Sequence, residues 1–318
     1  MQDLRTPDFT TTTNVVNIFA TVRNKEGELV ANLGKDDFLL QDQGQPESIR
    51  YFSRRVDLPL ALGLLLDTSR SMLTLLPAEN TASFRFFQNV MRADEDTAFL
   101  LSFDLDVRLL QGLTASKPSL ENALNQLKIG TRWEYGGGRG LPDVITIKDG
   151  THLYDAICVA TDKIMQKQLG RKALIVLSDG VDMGSKNSLT NAVESAQRSD
   201  TLVYSILFSD SNAYSRRALT LSHTIQRGHP GTIGKEVLRL LSRETGGRSF
   251  ELSKQMSLDR AYALLGQELR SQYSLGYTPQ AATSSGHYHK IRVTTKDKSL
   301  VVQARDGYYS PESAARRP

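Results

Sequence analysis

One cysteine and one tryptophan among 318 residues remove several possibilities at once. Cys158 has no second cysteine to pair with, so an intrachain disulfide is excluded and a cysteine-based zinc or redox site lacks ligands. It stands in the run Ala156-Ile157-Cys158-Val159-Ala160, where a small buried hydrophobe is the natural reading. No stretch reaches the ~18 apolar residues that span a bilayer; the longest, over 58–66, is interrupted by Pro59 and Gly63 and stops at Asp67. An excess of one charge is also missing. The 39 Lys and Arg face 35 Asp and Glu, for a net charge of +4, and the basic residues occur singly among acids, which argues against nucleic acid as the main partner. Met1-Gln2-Asp3-Leu4-Arg5 lacks the charged-then-apolar layout of a signal peptide. The expectation is a cytoplasmic protein or, in preference, a secreted or periplasmic one whose leader has been removed.

What is present changes character twice along the chain. Residues 15–22 alternate with a period of two and are followed by Asn24-Lys25-Glu26-Gly27 and a short apolar stretch, the pattern of a hairpin; two more short strands are expected over 36–42 and 49–52. From Pro59 onward, near-continuous apolar strands alternate with helical periodicity, as a buried parallel sheet requires. We read strands over 60–66, 97–103, 107–110, 173–177 and 202–207, with helices over 77–92, 119–127, 153–168, 189–199 and 234–245. An edge strand over 248–251 and a helix from Leu258 to about Ser271 complete this body. Two-residue alternation then returns over 273–277, 288–294 and 300–304. The fold class predicted is α/β, a doubly wound, mostly parallel central sheet, inserted in a β-sandwich of immunoglobulin-like kind built by both termini. The expected units are 1–57, 58–272 and 273–318, with the last pairing onto the first.

The chemistry concentrates at Asp67-Thr68-Ser69-Arg70-Ser71, directly after the strand over 60–66. By composition D-x-S-x-S arises by chance in about one chain in ten of this length, so its weight comes from placement: ligands of open α/β sheets bind beyond the carboxyl ends of the strands. Asp67, Ser69 and Ser71 would offer hard oxygen donors on one turn, suited to Mg²⁺ or Mn²⁺. Thr151, in the loop before a helix, and Asp179, at the end of the next long strand, are placed to join them. The bland alternative for Asp67 is a helix N-cap without any metal; for Asp155 it is the first helical turn, where the dipole favours an acid.

D-x-S-x-S, a later loop Thr and an Asp in Ser178-Asp179-Gly180 resemble the metal-ion-dependent adhesion site of von Willebrand factor type A domains. The resemblance covers about residues 58–272. It implies that Ser69, Ser71 and Thr151 ligate a divalent cation directly, Mg²⁺ or else Mn²⁺ or Ca²⁺, with Asp67 and Asp179 acting partly through water. The open coordination position would take an Asp or Glu side chain from a protein partner. The flanks, Gly34-Lys35-Asp36-Asp37-Phe38, Gln272-Tyr273-Ser274-Leu275-Gly276-Tyr277 and Ala304-Arg305-Asp306-Gly307-Tyr308-Tyr309 among them, are similar to the bacterial von Willebrand factor A-related family abundant in Acidobacteriota. In that family a compact glycine run directly precedes the Thr, whereas here Gly136-Gly137-Gly138-Arg139-Gly140 is separated from Thr151 by residues 141–150. Arg70, Trp133, Tyr135 and Asp182 are candidate partner-contact residues, the aromatics because such side chains anchor interfaces; packing onto their own domain is the alternative for Trp133 and Tyr135, and a solvated turn for Asp182. The helix over 234–245 resembles the C-terminal helix of switching adhesion domains.

The reading is therefore a non-enzymatic binding module. Two other classes compete. One is a structural component of an envelope or secreted assembly. The other is a Mg²⁺-dependent phosphoaspartyl phosphotransferase, which also places an Asp at a strand end; it needs a second carboxylate two residues on, where Ser69 stands, and a Lys near the phosphate, for which Lys172 is the candidate. No G-x-S-x-G elbow surrounds Ser69, Ser71 or Ser178, and the glycine run is not framed by a strand and a helix as a nucleotide loop would be.

Overall fold

The computed structural model describes residues 15–54, 58–72, 76–127, 133–134, 146–147, 150–208, 230–279 and 286–310. The N-terminal segment supplies strands β1 (Val16–Arg23), β2 (Phe38–Asp42), β3 (Gln45–Glu47) and β4 (Tyr51–Ser53). The body follows with β5 (Leu60–Asp67), α1 (Leu76–Val90), β6 (Thr97–Phe103), β7 (Val107–Thr114) and α2 (Lys117–Asn125). A two-residue ribbon, β8 (Trp133–Glu134) with β9 (Thr146–Ile147), precedes α3 (Leu153–Cys158). Next come β10 (Arg171–Ser178), α4 (Leu189–Arg198), β11 (Thr201–Leu207), α5 (Pro230–Thr245), β12 (Ser249–Glu251) and α6 (Leu258–Arg270). Strands β13 (Tyr273–Tyr277), β14 (Tyr288–Thr295), β15 (Val301–Gln303) and β16 (Gly307–Tyr309) end the described chain.

The central sheet runs β12-β11-β10-β5-β6-β7, parallel throughout except for β7. Its middle strands β5, β10 and β11 are buried at every residue, which is why their sequences read as unbroken apolar runs rather than alternating ones. The two faces divide by parity. Leu60, Leu62, Leu64 and Leu66 pack with Phe86 and Phe87 of α1 and Tyr262 and Leu265 of α6. Ala61 and Leu65 pack on the other face with Ile157 of α3, Ala192 of α4 and Leu238 of α5. Between them Gly63 admits the Phe99 ring and Leu174, which a Cβ would strike. From β5 the chain first builds outward to β6 and β7, then returns to the other side of β5 as β10. The strand order therefore reverses between β5 and β10, the switch point at which open α/β sheets form a crevice.

Both termini build the second module. One sheet orders β15-β1-β13-β4 and the other β16-β14-β2-β3, and Ile18, Ala20, Phe38, Leu40, Leu275, Tyr277 and Ile291 fill the space between them. Arg23 of β1 pairs with Glu268 of α6, which Arg248 also reaches at 2.7 Å. Arg305 pairs with Asp200 and donates to the Asn17 carbonyl at 2.8 Å. The α/β body is thus inserted between strands of a sandwich and ion-paired to it.

Some expectations need correction. The helix over 153–168 is not one α-helix: after Cys158 it becomes a π-helical stretch, Val159–Ile164, and then a 3-10 turn, Met165–Lys167. Thr161 Oγ1 donates to the Ile157 carbonyl at 2.8 Å and also meets Ser195, while Ser195 binds Asp162; this side-chain competition loosens the backbone ladder. The hairpin after β1 is reduced to a single antiparallel bridge, Arg23 with Leu29. Strand 36–42 opens with a 3-10 turn, Lys35–Asp37, because Asp37 Oδ2 accepts the Gly34 N–H at 2.7 Å. The body ends with α6, so α5 is not its C-terminal helix. Cys158 is buried, and burial with the nearby charges of Asp162 and Asp155 pushes its thiol up to about 12, so it packs as an inert hydrophobe.

Candidate functional site

Three connections meet beyond the carboxyl ends of β5, β6 and β10. The turn after β5 is tied to the end of β6: the Thr68 N–H donates to the Phe103 carbonyl at 2.9 Å and Thr68 Oγ1 to Asp104 Oδ2 at 3.0 Å. Asp104 is itself buried and held by Arg108 at 3.0 Å. Its carbonyl accepts the His152 N–H at 2.9 Å, bringing in the loop ahead of α3. That loop pairs with the segment after β10 through a two-way bridge, Thr151 N–H to Met183 O at 3.0 Å and Met183 N–H to Thr151 O at 2.8 Å. Asp155, in the first turn of α3, also accepts the N–H groups of Lys186 and Asn187 at 3.0 and 2.9 Å. Burial works against its ionisation, but these bonds and the Asn187 amide outweigh it and hold the carboxyl below its usual range.

The side chains singled out in the sequence come to lie on these three connections. Asp67 is fully buried; its Oδ1 accepts the Ser69 N–H at 2.9 Å and its Oδ2 the Ser178 hydroxyl at 2.6 Å. Ser69 and Ser71 place their hydroxyl oxygens 3.0 Å apart. Asp179 is buried, its Oδ1 accepting the Val181 N–H at 2.9 Å. Two atoms are left without any partner among the described residues: Asp179 Oδ2 and Thr151 Oγ1, both buried. Burial first, and the charge of Asp179 second, push the Asp67 carboxyl up to about 7 against the opposing bonds from Ser178 and Ser69. Two acids and an unpaired hydroxyl on adjoining buried loops form an electrostatic deficit that a cation would relieve.

Asp182 does not join this group. Its Oδ1 accepts the Ser185 hydroxyl at 2.6 Å and the Tyr154 N–H at 3.2 Å, so it organises the turn after β10. Trp133 lies on the short ribbon and pairs with Ile147. Arg70 opens a 3-10 turn, Arg70–Met72. Tyr135 and the glycine run 136–140 lie outside the described residues, as does most of the segment 209–231. Lys172 is at the opposite end of the strands: it is the second residue of β10, whereas Asp179 follows the last, roughly 20 Å away at strand rise.

One buried acid escapes sequence reasoning. Glu79, in the first turn of α1, is fully buried with neither carboxyl oxygen partnered among the described residues. Burial, then the charge of Asp67, raises its pKa well above the usual carboxylate range. An acid in a first helical turn ordinarily reads as a solvated residue favouring the dipole, so the sequence offers no signal that this one faces inward.

Residues 62–181 match the family described as von Willebrand factor type A domain. No curated protein sequence matches the chain. Similar solved structures include an aerotolerance-related membrane protein from Bacteroides fragilis NCTC 9343, at 16% identity and TM-score 0.44, covering 67% of this chain and 98% of that one. The vWF domain of the type V pili tip protein from Porphyromonas gingivalis is 12% identical, with TM-score 0.46 and coverage of 66% and 94%. Proximal thread matrix protein 1 from the mussel byssus, with a zinc-occupied MIDAS motif, is 13% identical, with TM-score 0.45 and coverage of 70% and 47%. The matched segment contains most of β5, the D-x-S-x-S turn, the Thr151 loop and β10, so that over residues 62–181 the α/β body of this chain matches von Willebrand factor type A domains.

Proposed function

We propose that the loops beyond β5, β6 and β10 hold a divalent cation and that the domain uses it to capture an acidic side chain of a protein partner. The reading rests on the unpartnered pair: Thr151 Oγ1 and Asp179 Oδ2 are buried, polar and without a donor or acceptor among the described residues, beside the buried Asp67. Such groups cost free energy unless something satisfies them. Every side chain in the set offers oxygen and none offers sulfur or imidazole, which suits Mg²⁺, Mn²⁺ or Ca²⁺.

In this reading Ser69, Ser71 and Thr151 are direct ligands, and Asp67 and Asp179 act partly through water. Asp67 holds the turn closed by accepting the Ser69 N–H while taking the Ser178 hydroxyl on its other oxygen. Asp104 and Asp155 fix the neighbouring loops, so the donors are positioned before any ligand arrives. A cation held mainly by neutral hydroxyls supplies residual positive charge and an open coordination position for a carboxylate. The units we assign are 58–272 for the binding domain and 1–57 with 273–318 for the sandwich that carries it.

The phosphotransferase alternative loses support from geometry, since Lys172 is the second residue of β10, at the end of the strands far from Asp67 and Asp179. Titration calorimetry of chelator-stripped protein with Mg²⁺ and Mn²⁺, beside a folded Asp67→Ala variant, tests the proposal. One-site binding lost in the variant supports it. Equal binding by both proteins, or none by the wild type in the presence of an acidic peptide, overturns it.

A further inference from the structure

The amino-terminal end of the central sheet, where β10 and β11 begin, faces β1 of the sandwich. A cavity of about 210 Å³ lies in this joint, and its lining includes Lys172, Asp200, Arg305, Asn17, Phe19 and Leu169. Its volume corresponds to roughly seven water molecules. Lys172 and Arg305 are each more than nine-tenths buried, at 9% and 8% exposure. Their situations differ. Arg305 is neutralised by its pair with Asp200 and donates to the Asn17 carbonyl, although its Nε has no partner among the described residues. Lys172 makes no hydrogen bond or ion pair among the described residues. Burial depresses its pKa; Asp200 opposes that and Arg305 adds to it.

Among the described lining residues the charge of the cavity is therefore one unit positive, from two cations and one acid, and the unmatched unit sits on the Lys172 ammonium, whose residue is 9% exposed. A largely buried charge without a partner gives up part of its hydration, and a ligand carboxylate would restore what it lacks. The walls are mixed: Phe19 and Leu169 offer apolar surface, and Leu169 stands 92% exposed at this end of the sheet. A dianion would overmatch the single free charge and meet repulsion from Asp200. A neutral molecule would leave the ammonium unsatisfied.

We propose that this joint is a binding site for a small monocarboxylate, whose oxygens accept from the Lys172 ammonium while a short apolar body lies against Phe19 and Leu169. The site is separate from the cation loops, which lie beyond the carboxyl ends of the same strands. Its occupant touches both modules and would fasten them together.

The test uses the full chain, dialysed free of organic acids, and butyrate as probe, with butyramide as the neutral isostere and inorganic phosphate and chloride as competing anions at matched ionic strength. We expect saturable calorimetric binding of butyrate, weaker by about tenfold or more for butyramide and phosphate, and weakened similarly in Lys172→Met. A second readout needs no variant: butyrate should protect Lys172 from an amine-acylating reagent, read by mass spectrometry, while the exposed Lys254 is labelled as before. Absence of saturable butyrate binding, unchanged labelling of Lys172, or Lys172→Met binding like wild type would each overturn the proposal. Phosphate binding as tightly as butyrate would overturn the assignment of a singly charged carboxylate.

Discussion

Ser178 donates its hydroxyl to Asp67 Oδ2 at 2.6 Å across the seam between β10 and β5, and Ser178 Oγ in turn accepts the Gly180 N–H at 3.0 Å. One serine thus orients an acid on the neighbouring strand and the turn that carries Asp179. If Asp67 and Asp179 serve a cation, Ser178 is a positioning residue. Ser178→Ala should leave the fold intact by circular dichroism and lower Mg²⁺ affinity by about tenfold to a hundredfold, the usual loss when a supporting hydrogen bond to a ligand is removed. Calorimetry that finds wild-type affinity in this variant would refute that role.

How far this arrangement can be read from the sequence depends on what each residue's neighbours reveal. The ends of β5 and β10 are legible because their strands are buried on both faces, so an unbroken apolar run stops abruptly at a polar group. The sandwich into which the α/β body is inserted is legible because alternation returns in the last segment of the chain. The break in the helix after Cys158 is not, since it arises from Ser195, on α4, meeting Thr161 and Asp162. The role of Asp155 in holding residues 186 and 187 is hidden for the same reason: helix periodicity describes its own turn and says nothing of a loop about thirty positions away. Glu79 and Lys172 look like solvated charges in one dimension, and only packing shows them enclosed.

Glu79 should make the protein less stable than an apolar residue of its size would. Its unpartnered carboxyl must stay protonated in the folded protein while the unfolded chain releases the proton at the ordinary value of 4.5. Because the folded value is the higher one, its favourable contribution is complete only below about pH 4.5 and declines as pH rises. Glu79→Met should gain about 1–3 kcal/mol at neutral pH, with the gain growing between pH 5 and pH 8. Urea unfolding at those two pH values measures it; a variant less stable than wild type at pH 8 would show that Glu79 has a partner in solution.

Gly180 is held at φ +77°, and a Cβ there would overlap the carbonyl of Gly234, where α5 passes against the turn. An alanine suffers twice, from the left-handed backbone and from contact with main chain that cannot rotate away. Gly180→Ala should cost about 2–4 kcal/mol, combining ~1–2 for the conformation with ~1–3 for overpacking. Thermal melting reads the loss. It should exceed that of Gly112→Ala, a position with open space around it and ordinary φ.

Asp96 provides the clearest dependence of stability on acid. Its side chain is wholly buried and accepts the Leu60 N–H at 2.9 Å, the Arg92 N–H at 2.8 Å and the guanidinium of Arg270 at 2.9 Å. Burial alone would raise its pKa, but the Arg92 side chain and backbone, the Leu60 N–H and the charge of Arg270 prevail and hold it below 3.8. A depressed folded value means that the stabilisation is complete above the unfolded value and is lost as pH falls through the folded one. Breaking the network with Asp96→Asn should cost about 2–3 kcal/mol near pH 7, less than for a fully enclosed pair because Arg92 and Arg270 are about a third exposed and regain water. The difference between wild type and variant in urea unfolding should be constant from about pH 5 to pH 7 and shrink below about pH 4. A difference that stayed unchanged down to pH 3 would mean that the hydrogen-bonding geometry, and not the charge of Asp96, secures the ends of α1 and α6 to the start of β5.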